Sequence, residues 1–279
     1  MKHWLVLFLF IAAPLLAQPR DESLAERGLR QLVERQRTLL ADAAKAGDEF
    51  DEAAFTTQMQ QLCQAYESFL RDNPEFAAGY AAYGYLLGKI GMEREGVVML
   101  LKANQYDPDI PLVKNQIGNY LAEHGKPLEA VNYYLAAIKL EPKEPLYHYQ
   151  LGTLLHNSRD TFLESGEWTA DGIDNAMHEA FRQAAELAPD RFAFVYRYGE
   201  SFYDMPSPDW AKALQVWAGL EELATTEIER QTMRLHAANV CLKAGKAAHV
   251  QALLATITVP ELDAQKQKLV AQIATREEK

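Results

Sequence analysis

The run HEAFR, from His178 to Arg182, opens like the His-Glu-x-x-His of a zinc protease. In that motif two imidazoles one helical turn apart hold the metal, and the glutamate acts as base. Here the fifth place is Arg182, so the second ligand is missing. His148 and His156 lie eight residues apart and would share a helix face. Two histidines fall short of the ligand number zinc normally takes, and they read as surface or groove residues. Glu164, Glu167, Asp171 and Asp174 cluster in HNSRDTFLESGEWTADGIDN, without the alternating spacing of a calcium loop. The sequence has no Gly-x-Ser-x-Gly, no phosphate-binding glycine loop and no paired-cysteine site. These residue types imply no catalysis, no metal and no cofactor, and leave recognition as the chemistry to look for.

Recognition needs a scaffold, and the spacing of prolines and glycines supplies one. Pro74, Pro108 and Pro142 recur every 34 residues, and so do Gly84, Gly118 and Gly152. Pro189 and Gly199 continue the series 47 residues on, so 13 residues are inserted between Leu155 and Met177. Within one period, AAGYAAYGYLLGKIG and EREGVVMLLKANQYDP each repeat apolar residues at helical spacing. Gly91 stops the first pattern, and Asp107-Pro108 stops the second, because proline disfavours helix at itself and at the residue before it. The unit is helix, turn, helix, with no stretch alternating convincingly as a strand.

This pattern resembles the tetratricopeptide repeat, a 34-residue helical hairpin with Leu-Gly, Ala-x3-Phe and Pro at fixed places. The Leu-Gly place is held by Tyr83-Gly84, Ile117-Gly118, Leu151-Gly152 and Tyr198-Gly199. The Ala-x3-aromatic place is held by Ala130 and Tyr134, by Ala213 and Trp217, and more weakly by Gly96 and Leu100 or Met177 and Phe181. The resemblance implies an all-α solenoid of antiparallel helix pairs, a right-handed superhelix of about five to six repeats. It also implies a concave face lined by the first helix of each unit. On this chain that face would carry Tyr85 and Lys89, then Asn115, Asn119 and Glu123, then Tyr149, Thr153 and Asn157, then Tyr196, Glu200 and Tyr203. Amides that satisfy backbone groups and tyrosines that supply apolar area suit an extended peptide or a partner helix. One subgroup of the family clamps a chaperone's C-terminal carboxylate with basic residues. Ala81, Tyr85, Tyr149 and Thr153 stand where those would be needed, so that clamp is not expected. Trp168, in the insertion, is a possible second contact.

The chain of 279 residues is acidic, with 39 Asp plus Glu against 28 Lys plus Arg, which disfavours nucleic acid as a partner. MKHWLVLFLFIAAPLLAQPR has the charged start, short apolar core and small residue of a signal peptide, predicting cleavage near Ala17 and an exported, periplasmic or secreted protein. No later apolar segment reaches the 20 or so residues a membrane span needs. Cys63 and Cys241 sit near opposite ends of the repeats, too far apart for a disulfide, and are expected as buried thiols. The predicted organisation is a leader over 1–17, N-terminal helices with a degenerate repeat over 18–76, repeats over 77–224 with an insertion at about 156–171, and a degenerate repeat with a capping helix over 225–279. The function expected is a protein or peptide scaffold without catalysis. Self-association is the alternative, and an enzyme with a site between insertion and groove is a second.

Overall fold

Proline and glycine place the helix ends. Pro111, Pro127 and Pro145 each open a helix, where a missing N–H costs nothing. Gly91 and Gly125 close the turns inside two hairpins with φ of 83° and 72°, a left-handed conformation that glycine adopts without strain. The amide three residues past each helix end then reaches back, Met92 N to Leu87 O and Lys126 N to Leu121 O, both at 2.9 Å.

The computed structural model describes residues 22–47 and 50–277, so the predicted leader lies outside the described residues. Helices α1 (Leu24–Lys45) and α2 (Glu52–Asp72) are followed by α3 (Ala77–Lys89) and α4 (Glu93–Tyr106), then α5 (Pro111–Glu123) and α6 (Pro127–Leu140). Next come α7 (Pro145–Asn157), the short α8 (Arg159–Glu164) and α9 (Ala170–Leu187). The chain continues through α10 (Phe192–Ser201), α11 (Trp210–Leu223), α12 (Glu227–Lys243) and α13 (Ala247–Ala255), a 3-10 turn at Pro260–Leu262, and α14 (Asp263–Glu277). Most helices pack chiefly on their sequence neighbours, with α7 paired to α9 across the insertion and α14 resting on α12. The result is an all-α solenoid of six hairpins and a closing helix. Among the described residues no helix is long and apolar enough to cross a membrane.

The repeated small residue sits where two helices cross, and the repeated large one fills the space beside it. A Cβ on Gly118 would lie 2.8 Å from the Tyr134 ring, one on Gly152 2.8 Å from Phe181, and one on Gly199 2.8 Å from Trp217. All three rings are buried and form a band of core that runs along the stack from Met59 to Val240. The ends are tied separately. At the first, Tyr66 Oη donates to buried Gln36 at 2.7 Å, and Ser23 with Glu26 forms a capping box on α1. At the last, the buried Gln231 side chain accepts from Thr258 N at 2.6 Å and Val259 N at 2.8 Å, pinning the turn after α13.

The insertion folds onto the stack. Its Phe162 is fully buried, and Trp168 packs edge-on against that ring at 5.2 Å, so the indole is half-buried. Arg159 donates from Nε and Nη2 to the two oxygens of Asp174, at 2.7 and 2.9 Å. The Asp174 side chain is 8 % exposed, whereas that of Arg159 is 38 % exposed. Arg159→Ala strands the buried carboxylate. Removing one partner of a fully buried pair costs about 3–5 kcal/mol, and partial access to water here lowers the expected cost to about 2 kcal/mol. Chemical denaturation should read that loss, with hydrogen exchange speeding first in α8 and the start of α9.

Candidate functional site

Helices α3, α5 and α7 are the first helices of three successive hairpins and present the same register to one side. Between them lies a groove of about 600 Å³. Tyr85 and Lys89 come from α3, Asn119 and Glu123 from α5, and Tyr149, Thr153 and Asn157 from α7. These seven of the expected concave residues thus meet in one groove. Gly88 leaves room on the α3–α4 side, since a Cβ there would meet no atom within 4 Å, and Gly84 and Gly96 also line the groove.

Several groups there are oriented by a neighbour. Tyr134 Oη donates to Asn119 Oδ1 at 2.8 Å, so the amide group Nδ2 is the end left to face a ligand. Thr153 Oγ1 donates to its own helix at Tyr149 O, 2.8 Å away, and keeps its lone pairs. The Tyr149 ring stacks on Phe194 at 4.6 Å and meets the edge of Phe181 at 5.9 Å, which holds it half-buried at the groove wall. Lys89 Nζ sits 5.3 Å from the centre of the Tyr85 ring. Glu123 has its carboxyl raised above the usual range by partial burial first and by the nearby charge of Glu93 second.

Spacing on the first helices did not single out Glu93, Val97, Gln116, Tyr120 and Gln150, which also line the groove. Glu93 and Val97 belong to α4, the second helix of its hairpin. The other three lie one residue round the helix from the register chosen. The signal in the sequence is Gly96-x3-Leu100, where the other units place an aromatic ring in the second position, and both residues line the groove.

Four expected residues fall elsewhere. Asn115 is fully buried, with neither end of its amide hydrogen-bonded. It shares the register of Ala81 and Tyr149, and a side chain that short is covered by the neighbouring hairpins, so this correction removes it from the exposed groove face. Tyr196, Glu200 and Tyr203 belong to a separate cluster farther along. Tyr196 Oη lies 3.2 Å from His236 Nε2, and Tyr203 Oη lies 3.3 Å from His236 Nδ1. The His236 ring stacks on Trp217 at 4.0 Å and 7°. Glu200 is engaged by Arg197 at 2.6 Å. His148 is also not at the surface. It is buried, with Nε2 2.8 Å from Pro142 O.

One pair resembles catalytic machinery and lacks its logic. His178 Nδ1 lies 2.8 Å from Ser201 Oγ. Ser201 already donates its only proton to Tyr198 O at 2.7 Å, so the imidazole is the donor to the serine and cannot withdraw its proton. Among the described residues no three His, Cys, Asp or Glu side chains converge as a metal site. Both cysteines are free, Cys241 buried and Cys63 half-buried.

The class this architecture defines is the tetratricopeptide-like α-solenoid, with an open groove across consecutive first helices. No protein-family model matches the chain, and the comparison with curated proteins finds no relative. Among solved structures it is similar to YrrB, a TPR protein with an unusual peptide-binding site, at a TM-score of 0.58 and 16 % identity over 78 % of this chain and all of YrrB. It is similar to Pseudomonas aeruginosa PilF at 0.59 and 14 % identity, covering 89 % of this chain and 99 % of that one. PilW, a widely conserved type IV pilus biogenesis factor, matches at 0.53 and 12 % identity over 88 % of this chain and 98 % of its own. At these identities the likeness is one of fold.

Proposed function

We propose that the chain is an exported, non-catalytic interaction scaffold whose α3–α5–α7 groove holds an extended segment of a partner protein. The observation that carries this reading is the convergence of Tyr85, Lys89, Asn119, Glu123, Tyr149, Thr153 and Asn157, from three hairpins, on one groove of about 600 Å³. Amide, hydroxyl and aromatic groups all line it, and together they can serve both the backbone and the side chains of an extended segment. The similarity to YrrB, which has a peptide-binding site, supports the same reading. The signal-like start at residues 1–17 supports export, and the fold shared with the pilus biogenesis factor PilW makes assembly in the cell envelope a reasonable setting.

Gly88→Trp tests the groove. Gly88 is exposed, and a Cβ there meets no atom within 4 Å, so an indole enters the groove without clashing with the core. Partner capture from the native envelope should fall at least about tenfold, the loss expected when a bound segment is sterically displaced. Leu135→Ala, at an exposed position on α6 outside the groove lining, should leave capture unchanged. Equal capture by Gly88→Trp and the parent chain would overturn the assignment.

A further inference from the structure

The groove is not neutral. Glu93, at the start of α4, and Glu123, at the end of α5, both line it, against Lys89 as the one lysine or arginine there. The ammonium of Lys89 stands over the Tyr85 ring. Among the described residues Glu123 forms no ion pair within 4.0 Å, although Lys89 and His124 lie near enough to lower its pKa in part, and Glu93 reaches only the His124 imidazole, at 3.8 Å. The two carboxylates therefore repel each other across the groove, and partial burial of Glu123 sharpens this. Gln150 lines the same groove, and its Oε1 is shielded from solvent yet accepts no hydrogen bond from the protein. The groove thus offers two carboxylates that want donors, while the shielded Gln150 oxygen lies out of an occupant's reach. Its chemistry selects a donor-rich, positively charged occupant and disfavours an acidic one.

We propose that the groove takes a basic segment, with a lysine or arginine of an extended partner seated between Glu93 and Glu123. The inference rests on the groove reading above and adds the partner's chemistry to it. An incoming ammonium or guanidinium removes the Glu93–Glu123 repulsion only when bound, so the charge pair acts as a selector. The formal net charge of −11 on the whole chain works in the same direction by drawing basic partners toward it.

The test uses the full-length chain and a random twelve-residue peptide library displayed on phage. Selected sequences are made as blocked, fluorescein-labelled peptides. Their Kd is measured by anisotropy against the parent chain, Gly88→Trp, and the double variant Glu93→Gln with Glu123→Gln. The expected result is enrichment of Lys and Arg, with binding lost in Gly88→Trp. The double glutamine variant should weaken binding about tenfold at low salt, in keeping with two partly exposed ion pairs. That loss should shrink in about 0.5 M salt, where screening is strong. Groove-dependent peptides that lack basic residues, or that bind the double variant equally well, overturn the charge inference and leave the groove standing. A selection that yields no peptide sensitive to Gly88→Trp overturns both.

Discussion

Gly84→Val drives α3 and α4 apart and costs about 3 kcal/mol, at the upper end of what overpacking a core normally costs. A Cβ at Gly84 would lie 2.8 Å from Gly96 O, 2.9 Å from Leu100 Cγ and 3.1 Å from Leu100 N. Two of these atoms are backbone, so rotating a side chain relieves nothing, and the helix axes themselves must separate. Gly96 faces the same constraint from the other side, its Cβ position lying 3.0 Å from Gly84 O and 3.0 Å from Gly88 N. In a stack where each hairpin touches only its neighbours, the damage should be local. Hydrogen exchange should show loss of protection in α3 and α4, with α11 to α13 retaining theirs. Partner capture should fail as well, because Gly84 and Gly96 line the groove. Gly88→Ala, four residues on in the same helix, should do the reverse. It meets open space, and replacing an exposed helical glycine by alanine stabilises by about 1 kcal/mol. Opposite signs at two glycines of one helix would separate close approach from mere helix propensity. Equal effects would refute the packing argument.

The architecture was legible because a 34-residue period repeats the same three physical demands. It needs a small residue where helices cross, a ring beside it, and a glycine in the turn. Gly118 under Tyr134, Gly152 under Phe181 and Gly199 under Trp217 meet the first two demands each time. Seven groove positions followed from the same register, since residues one helical turn apart stay on one face. What the register could not supply was depth. Asn115 and Tyr149 occupy equivalent places, yet the first is sealed in and the second reaches the groove wall, because only the larger side chain extends beyond its neighbours. His148 was lost for a related reason. Its partner is a backbone carbonyl, Pro142 O, and a sequence pattern marks no backbone acceptor. The insertion reads from composition as a longer helix and loop, and it is fastened down by Phe162, with Trp168 against it, and by the Arg159–Asp174 pair, joined across 15 residues. The cluster around His236 was missed because it joins positions 33 and 40 residues apart, so its members belong to different units of the repeat.

That cluster makes stability depend on pH. His236 is largely buried between Tyr196, Tyr203 and Trp217, and burial lowers its pKa from 6.5 to about 4. Tyr203 Oη also lies 3.3 Å from the His236 carbonyl. With Tyr203 donating there, Nδ1–H donates to Tyr203 and Nε2 accepts from Tyr196, which is a complete arrangement for the neutral ring. A second proton would put a positive charge on this largely buried ring, and burial disfavours the charged form. Lys243, 5.8 Å from the centres of both the Tyr203 and Trp210 rings, adds a cation nearby. The unfolded chain binds this proton near pH 6.5 and the folded chain only near pH 4. Stability from this residue is therefore full above pH 6.5 and falls as pH drops toward 4, by about 1.4 kcal/mol per unit and about 3 kcal/mol in all. His178, also lowered by burial, acts in the same direction, while Glu123 and Glu144, raised by burial, act against it. His236→Phe keeps an aromatic ring on Trp217 and cannot take a charge, so the difference between parent and variant isolates the histidine. Urea unfolding at pH 7 and pH 4 should show the parent losing about 3 kcal/mol relative to His236→Phe. A His236 ring proton that titrates near pH 6.5 in the folded protein's NMR spectrum would end this account. It would mean that water reaches the imidazole and that the tyrosines leave it open to the concave side.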